Sequence, residues 1–364
     1  MLKIIHRYVL REFTESFLFG LIVFSSILLL DQVFQLVDLF LSKGIALPII
    51  ARLFLLILPN ILSLTIPMAV LLGILLSYGR LSEDNEITSF RSSGLPYRAF
   101  TGPVVWMILI LSVFLVYFNQ TISPATHNQF RMLYKDILNQ HPLIKFDDKA
   151  IVTVGEYKVY VEHVDKESNV LHGINIYKFS SSEHGAPWRI SASSAAVDVS
   201  PHAVLFHLSN GFWQQPNPEK LDTLVHMQYK SYLFAIPIGG QVIPFSQSLR
   251  EMTGTQLLKE IDSYRAKNMP THFLETEYWM RWALAFSPIV LALCGIPLGI
   301  VLEKGGRAIG FGVSLGMLFV YYLLLVTGLN ISEKGYVQPR FILFLPNIVM
   351  LIVGLLLWRR MVKK

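Results

Sequence analysis

Six apolar runs constrain this chain more than any other feature of it. They lie at roughly 13–37, 48–78, 99–120, 279–302, 308–330 and 340–358. A helix needs about 20 apolar residues to cross a bilayer, and in lipid every backbone polar group must be paired within its own segment. Each run therefore predicts one membrane-spanning helix. Composition agrees: of 364 residues, 53% are hydrophobic and 15% charged, and mean hydropathy is +0.48. A soluble domain carries about 25% charged residues. The first run follows Lys3, Arg7 and Arg11, as a signal peptide would, but no small-residue cleavage site follows and the helical pattern continues through Gln35 and Asp38. It reads as an uncleaved first span. The second run is about 45 Å long at 1.5 Å per residue, more than a core of about 30 Å needs. Pro59 and Pro67 predict a kink or tilt there.

Between the third and fourth runs the pattern changes. Segments such as "IVTVGEYKVYVEHV", "LHGINIYKF", "RISASSAAVDV", "AVLFHLSNGFW" and "LVHMQYKSYLFAI" are rich in Val, Ile, Tyr and Phe and bounded by turn formers. They predict a series of β-strands at sandwich spacing. The expected organisation is 1–122, spans one to three; 123–277, a β-jellyroll or sandwich domain with helical connectors; and 278–364, spans four to six.

Charge fixes the expected orientation. Lys3, Arg7, Arg11, Arg80, Arg91, Arg98, Lys304, Arg307, Arg359, Arg360, Lys363 and Lys364 fall on one side of the spans. The short loops of the other side offer little beyond Lys43, Lys334 and Arg340. Positively charged loops stay cytoplasmic, so the termini are expected inside and the β-domain outside. The net charge of +6 then speaks of topology, and no basic-aromatic interleaving points to nucleic acid.

Several chemistries find no support. The lone Cys294 excludes an intrachain disulfide and a Cys-based zinc site. His163, His172, His202, His207 and His226 lack metal-ligand spacing, so no metal is expected. There is no H-E-x-x-H. No Gly-Lys pair occurs, so the chain is not itself a P-loop ATPase. Any energised work must draw on a partner or an ion gradient.

The stretch "GRLSEDNEITSFRSSGLP", Gly79–Pro96, predicts a short charged helix over about 83–93. Ser82 is the expected N-cap, Glu83, Asp84 and Glu86 suit the first turn, Arg91 suits the last, and Gly94 with Pro96 ends it. Ile87 and Phe90 stand as apolar knobs beside these acids. Two readings stand: a solvated connector between spans, or a coupling helix that docks into a cytoplasmic ATPase.

Two further sets of residues suit a lipid headgroup. Asp31, Gln35 and Asp38 form a polar stripe near the end of the first span, with Gln32 close by. Such groups either face a cavity or reach interfacial water. His127, Arg131 and Lys135 recur every four residues after the third span, a basic face able to bind phosphate or to serve as a plain collar. Arg281, beside Trp279 and Trp282, reads as an interfacial anchor. Gly310, Gly312 and Gly316 would allow close helix approach in the fifth span, for sliding or for static packing.

The stretch "LLGILLSYGRLSEDNEITSFRSSGLP" resembles the permeases of the lipopolysaccharide transport system, the LptF/LptG (YjgP/YjgQ) family, with "EIT…GL" its specific part. The likeness extends to the three-plus-three layout, the β-domain and "EYWMRWALAFSPIVLALCGIPLGI", nearly the whole chain. The "GRLSEDNEIT" wording leans toward LptF. The resemblance implies a multi-pass inner-membrane subunit of an ABC-type transporter. It would pair with an LptG-like permease, sit on an LptB-like ATPase dimer that holds the ATP, and pass lipopolysaccharide through an LptC-like bitopic β-jellyroll protein. No cofactor belongs to this chain on that reading. Glu86 matches the family's ATPase-coupling glutamate, with Glu83, Ile87, Phe90 and Arg91 around it. Lipid contact is expected at Asp31, Gln35, Lys43, Arg131 and Lys135. The family places basic residues near the end of the first span. This sequence has Gln35 and Asp38 there, with Lys43 beyond, which puts the cargo contacts of that span in doubt. The rival expectations are a membrane-anchored adaptor without transport activity and a lipid-modifying enzyme, and the latter lacks an acid, base or metal cluster.

Overall fold

The computed structural model describes residues 2–41, 45–140, 148–154, 157–165, 170–178, 187–199, 203–216, 224–237, 248–301 and 306–363. The helices follow the apolar runs and overshoot them: α1 (Leu2–Leu41), α2 (Leu47–Glu83), α3 (Glu86–Ser92), α4 (Tyr97–Tyr117), α5 (Ser123–Gln140), α6 (Gly254–Ala266), α7 (His272–Val301), α8 (Gly306–Glu333) and α9 (Pro339–Lys363). One π-helical turn, Phe118–Ile122, joins α4 to α5. Six helices are long and apolar enough to cross a membrane: α1, α2, α4 running on into α5, α7, α8 and α9. Contacts divide the chain into Met1–Phe130 with Gln247–Lys364, and Arg131–Ser246.

In the helical unit α2 and α7 are the most enclosed. Leu71, Leu72, Ile74 and Tyr78 of α2 and Leu291 and Ile296 of α7 have no exposed surface. Small residues allow this closeness. A Cβ on Gly73 would stand 2.9 Å from the backbone N and Cα of Phe17 in α1. In α8 only part of the expected glycine stripe acts this way. Gly310 packs against the Leu75 carbonyl, 3.3 Å from where its Cβ would be, whereas Gly312 and Gly316 have nothing within 4 Å. Buried hydroxyls and amides join the spans. Tyr321 of α8 donates to Asn347 Oδ1 at 3.0 Å, and Asn347 Nδ2 to the Ala283 carbonyl at 2.9 Å. An unpaired polar group in such a place would cost several kcal/mol, of order 2–7.

The second unit is one antiparallel sheet of β1 (Ala150–Val154), β2 (Tyr157–Val161), β3 (His163–Asp165), β4 (Val170–Lys178), β5 (Trp188–Val199), β6 (Ala203–Pro216) and β7 (Leu224–Pro237). The order is β1-β2-β4-β5-β6-β7, with β3 also on β4. Short strands were expected; β5, β6 and β7 instead span 12 to 14 residues. A crease crosses the sheet and explains their length. Pairing skips Gly173 and Ser193 between β4 and β5, Ser193 and Asn210 between β5 and β6, and Asn210 and Lys230 between β6 and β7. Gly173 (φ 64°) and Asn210 (φ 51°) take left-handed backbone there, which glycine and asparagine tolerate. Ser193 Oγ donates to the carbonyls of Ser209 and Asn210 at 3.0 and 3.1 Å. The Tyr229 ring covers Gly211, and its hydroxyl donates to the Ser191 carbonyl at 2.9 Å. Burial, with Tyr232 adding to it, pushes the Tyr229 phenol up to about 12, so it stays a donor.

The crease folds the sheet onto itself. Phe234 lies in register with Phe206, and Phe206 with Val197, nine residues from Trp188 along β5. In a flat sheet that is about 30 Å at 3.3 Å per residue. The Trp188 and Phe234 ring centroids are 5.5 Å apart, and Tyr157 meets Phe234 at 5.7 Å. The long strands thus run through both layers of a sandwich. Val159, Val161, Leu171, Ile174, Ile176, Phe206, Leu208 and Ile236 fill its interior. Along β7 the filling stops: Met227 and Tyr232, opposite Trp213 and Leu208, remain exposed.

Candidate functional site

The α3 end of the bundle gathers the charged residues of the stretch 79–96. The helix there begins later than expected. Ser82 does not cap it. Ser82 is buried inside α2 and its hydroxyl donates to the Ile300 carbonyl of α7 at 2.9 Å. Burial of Tyr78 and Leu81 holds α2 helical through Glu83. Asn85, in left-handed backbone at φ 57°, makes the break. The far end behaves as expected: Leu95 N donates to the Phe90 carbonyl and Gly94 N to that of Arg91, with Gly94 at φ 81°, a Schellman ending.

Glu83 is therefore the exposed last residue of α2, whereas Glu86, Ile87, Phe90 and Arg91 share α3. Ile87 is not an outward knob. It is 5% exposed and belongs to a buried apolar cluster that includes Val9, Phe13, Tyr78, Leu81, Phe100 and Met361. Phe90 is half-buried, its ring 5.7 Å from that of Phe100. These two fix α3 to the bundle, because a seven-residue helix cannot hold itself in water. Glu86 is half-buried and accepts from the Tyr8 hydroxyl of α1 at 2.8 Å. Arg80 bonds Glu12 of α1 at 2.5 Å and Asp84 at 3.4 Å. Arg91 is exposed, its guanidinium 4.4 Å from the Tyr97 ring centre, within cation–π range. Tyr8 and Glu12 were missed in the sequence. Their spacing of four, on the face that also buries Val9 and Phe13, was the available signal.

The opposite end of the bundle is locked by Arg281. It is 5% exposed and pairs with Glu277 at 3.0 Å. It also donates to the carbonyls of Met252 and Leu249 at 2.7 and 2.9 Å. Its own carbonyl accepts from Asn119 in the π-helical turn at 3.4 Å, and Asn119 accepts from Ser63 of α2 at 2.8 Å. Arg281 is a clamp within the protein rather than the expected interfacial anchor, because five fixed donors suit a cluster of carbonyls.

The candidate lipid residues are scattered. Asp31 and Gln35 lie exposed on α1, Gln35 donating to Asp31 at 2.9 Å and Gln32 at 3.3 Å. The side chain of Asp38 and the whole of Lys43 lie outside the described residues. On α5 Arg131 is half-buried and Lys135 exposed, one turn apart. Among the described residues no cluster of His, Cys, Asp or Glu could hold a metal ion.

Six membrane-capable helices and an inserted antiparallel β-domain define a multi-pass membrane protein with a separate folded domain. The model of the lipopolysaccharide export system permease LptF/LptG family matches residues 7–360, nearly the whole chain, and the chain belongs to that family. The match does not separate LptF from LptG. No curated protein matches the chain.

Proposed function

We propose that this chain is one permease half of an ABC-type extractor that takes lipopolysaccharide from the inner membrane and hands it to a periplasmic β-jellyroll bridge. A separate cytoplasmic ATPase dimer holds the ATP, and a second, related permease completes the membrane part. The observation that carries this reading is α3: a charged helix set between two spans, docked by Ile87 and Phe90, with Glu86 and Arg91 on the same short helix. Such a helix transmits force only if it moves with the spans around it. Its inward side is packed on α1, α2 and α4 through Val9, Tyr78 and Phe100. The basic residues near the chain ends and α3 support a cytoplasmic position for that end, where an ATPase would dock. The exposed apolar side chains along β7 suit acyl chains or the next β-domain of the bridge.

Affinity purification of the tagged chain from native membranes in mild detergent tests the reading. Recovery of an ABC ATPase and a second six-span permease, with the ATPase lost on Glu86→Lys, is the expected result. Recovery of periplasmic proteins alone, unchanged by that substitution, would make α3 a connector and the chain an adaptor.

A further inference from the structure

We infer that Tyr8 is a positioning residue for Glu86, holding the carboxylate in place while leaving its charge available to a basic side chain of the ATPase. The inference rests on the reading of α3 as the motor contact and adds a residue of the first helix to it.

The geometry singles out Tyr8. Its hydroxyl donates to Glu86 Oε1 at 2.8 Å, across 78 residues of sequence. Glu86 makes no other side-chain hydrogen bond to the described residues, so Oε2 remains open to a further donor. The nearby cation is already engaged: Arg80 bonds Glu12 and Asp84. A second arginine or lysine in place of Tyr8 would also orient Glu86, but it would cancel the charge. A phenol is a neutral donor. It fixes one oxygen and leaves the group anionic, so the other oxygen can meet a cation in a charge-assisted bond.

Tyr8 also sits where such a bond transmits motion. At 1.5 Å per residue the 40 residues of α1 reach about 60 Å, twice a hydrocarbon core, so its first turns extend beyond the lipid. Val9, next to Tyr8, and Phe13, one turn beyond Val9, are fully buried in the cluster that holds Ile87. Glu12, one turn on, is tied to Arg80 at the end of α2. A displacement of α3 therefore reaches α1 through a polar bond and an apolar contact at once. The apolar contact resists compression; the hydrogen bond is the part that also resists sliding.

The test uses the full complex in lipid nanodiscs, with lipopolysaccharide as the probe and lipid delivered per ATP hydrolysed as the readout. Tyr8→Phe keeps the ring and removes the hydroxyl. It is expected to copurify with the ATPase, to leave the KM for ATP in place and to lower delivery per ATP roughly tenfold, the size of a lost hydrogen bond to a charged group. The double variant with Glu86→Gln is expected to be no worse than Glu86→Gln alone, a coupling that a general loss of stability would not produce. Delivery by Tyr8→Phe within twofold of the parent, or multiplicative losses in the double variant, overturns the inference. Cross-linking of Tyr8→Cys/Glu86→Cys in a Cys294→Ser background, in native membranes with a short thiol reagent, reads the contact independently of the motor. Absence of that cross-link also overturns the inference. An inert Glu86→Lys would instead remove the motor reading, and this inference with it, even with the cross-link in place.

Discussion

The two ends of the helical unit are held together by different means, and among the described residues the long-range ion pair and hydrogen bonds of α1 lie toward one of them. At the α3 end α1 is bound across the structure, by Tyr8 to Glu86, by Glu12 to Arg80, and by the burial of Val9 and Phe13. At the other end the ties run through Ser63, Asn119, Arg281 and the carbonyls of Leu249 and Met252. The last described hydrogen bond from α1 to another element is Ser25 to Thr65, at 3.1 Å. Beyond it, among the described residues, the polar side chains of Asp31, Gln32 and Gln35 bond to one another. Ile27, Leu30 and Phe34 there stand about 60% exposed or more. On the proposed function, a helix tied across the structure at one end and largely exposed at the other, Leu36 excepted, would act as a lever. Motion would then enter where the long-range bonds are, and the exposed side chains of the far half would repack against lipid or a second subunit.

The largest effect is expected at Arg281. Removing the guanidinium would strand the Glu277 carboxylate and two backbone carbonyls in a buried place. Breaking one side of a buried ion pair costs about 3–5 kcal/mol. Arg281→Met should therefore lower the thermal midpoint of the detergent-solubilised protein by several degrees. Arg281→Lys should recover little, because one ammonium cannot reach three separated acceptors in the same way. An unchanged midpoint would mean that the 249–252 turn is held by other contacts.

A smaller pair of changes separates the gripped half of α1 from general helix propensity. Glycine to alanine inside a helix is worth about 1 kcal/mol in favour of alanine. At Gly79 a Cβ meets nothing within 4 Å, so Gly79→Ala should stabilise the protein by up to that amount. At Gly73 the Cβ would meet the Phe17 backbone at 2.9 Å, where no flexible side chain can yield. Overpacking costs about 1–3 kcal/mol, so Gly73→Ala should be destabilising by about 1 kcal/mol net. Melting curves of the two variants should move in opposite directions. Stabilisation by both would mean that α1 can shift off α2 freely.

Much of the fold was legible in the sequence, for a simple reason. Apolar length and period-two alternation depend on local composition alone, so the six spans and the β-segment could be read directly. What could not be read depends on partners distant in sequence. Ser82 has the chemistry of an N-cap, yet the Ile300 carbonyl 218 residues away takes its hydroxyl and α2 continues past it. Ile87 is an apolar side chain on a short charged helix, and only the arrival of α1 and α2 decides that it points inward. The crease in the sheet follows from single residues such as Gly173 and Asn210, whose left-handed backbone leaves no periodic trace. Glu86 was singled out in the sequence as a candidate because it stands in a stretch with a recognisable family pattern. Tyr8 was not, because its spacing from Glu12 marks a helix face and not the carboxylate 78 residues away that it donates to.

The smallest effect is expected at Asp31, and it tests the bare half of α1 directly. In this chain Asp31 is exposed and its partners are Gln35, one turn on, and Gln32 beside it. Exposed pairs of this kind are worth about 0.2–0.5 kcal/mol, so Asp31→Asn should leave the melting curve of the isolated chain within a degree or so. The second permease changes the stakes. If α1 repacks against it, or closes on a lipid headgroup, the carboxylate loses water on one side, and an uncompensated charge then weighs several-fold more than at a free surface. Asp31→Asn should therefore be silent in the chain alone and visible in the complex, as a change in lipid delivered per ATP with assembly intact. A variant silent in both would make the stripe an interfacial helix end. A variant that already destabilises the isolated chain would mean that α1 is gripped along its whole length, and the lever described above would have no free arm.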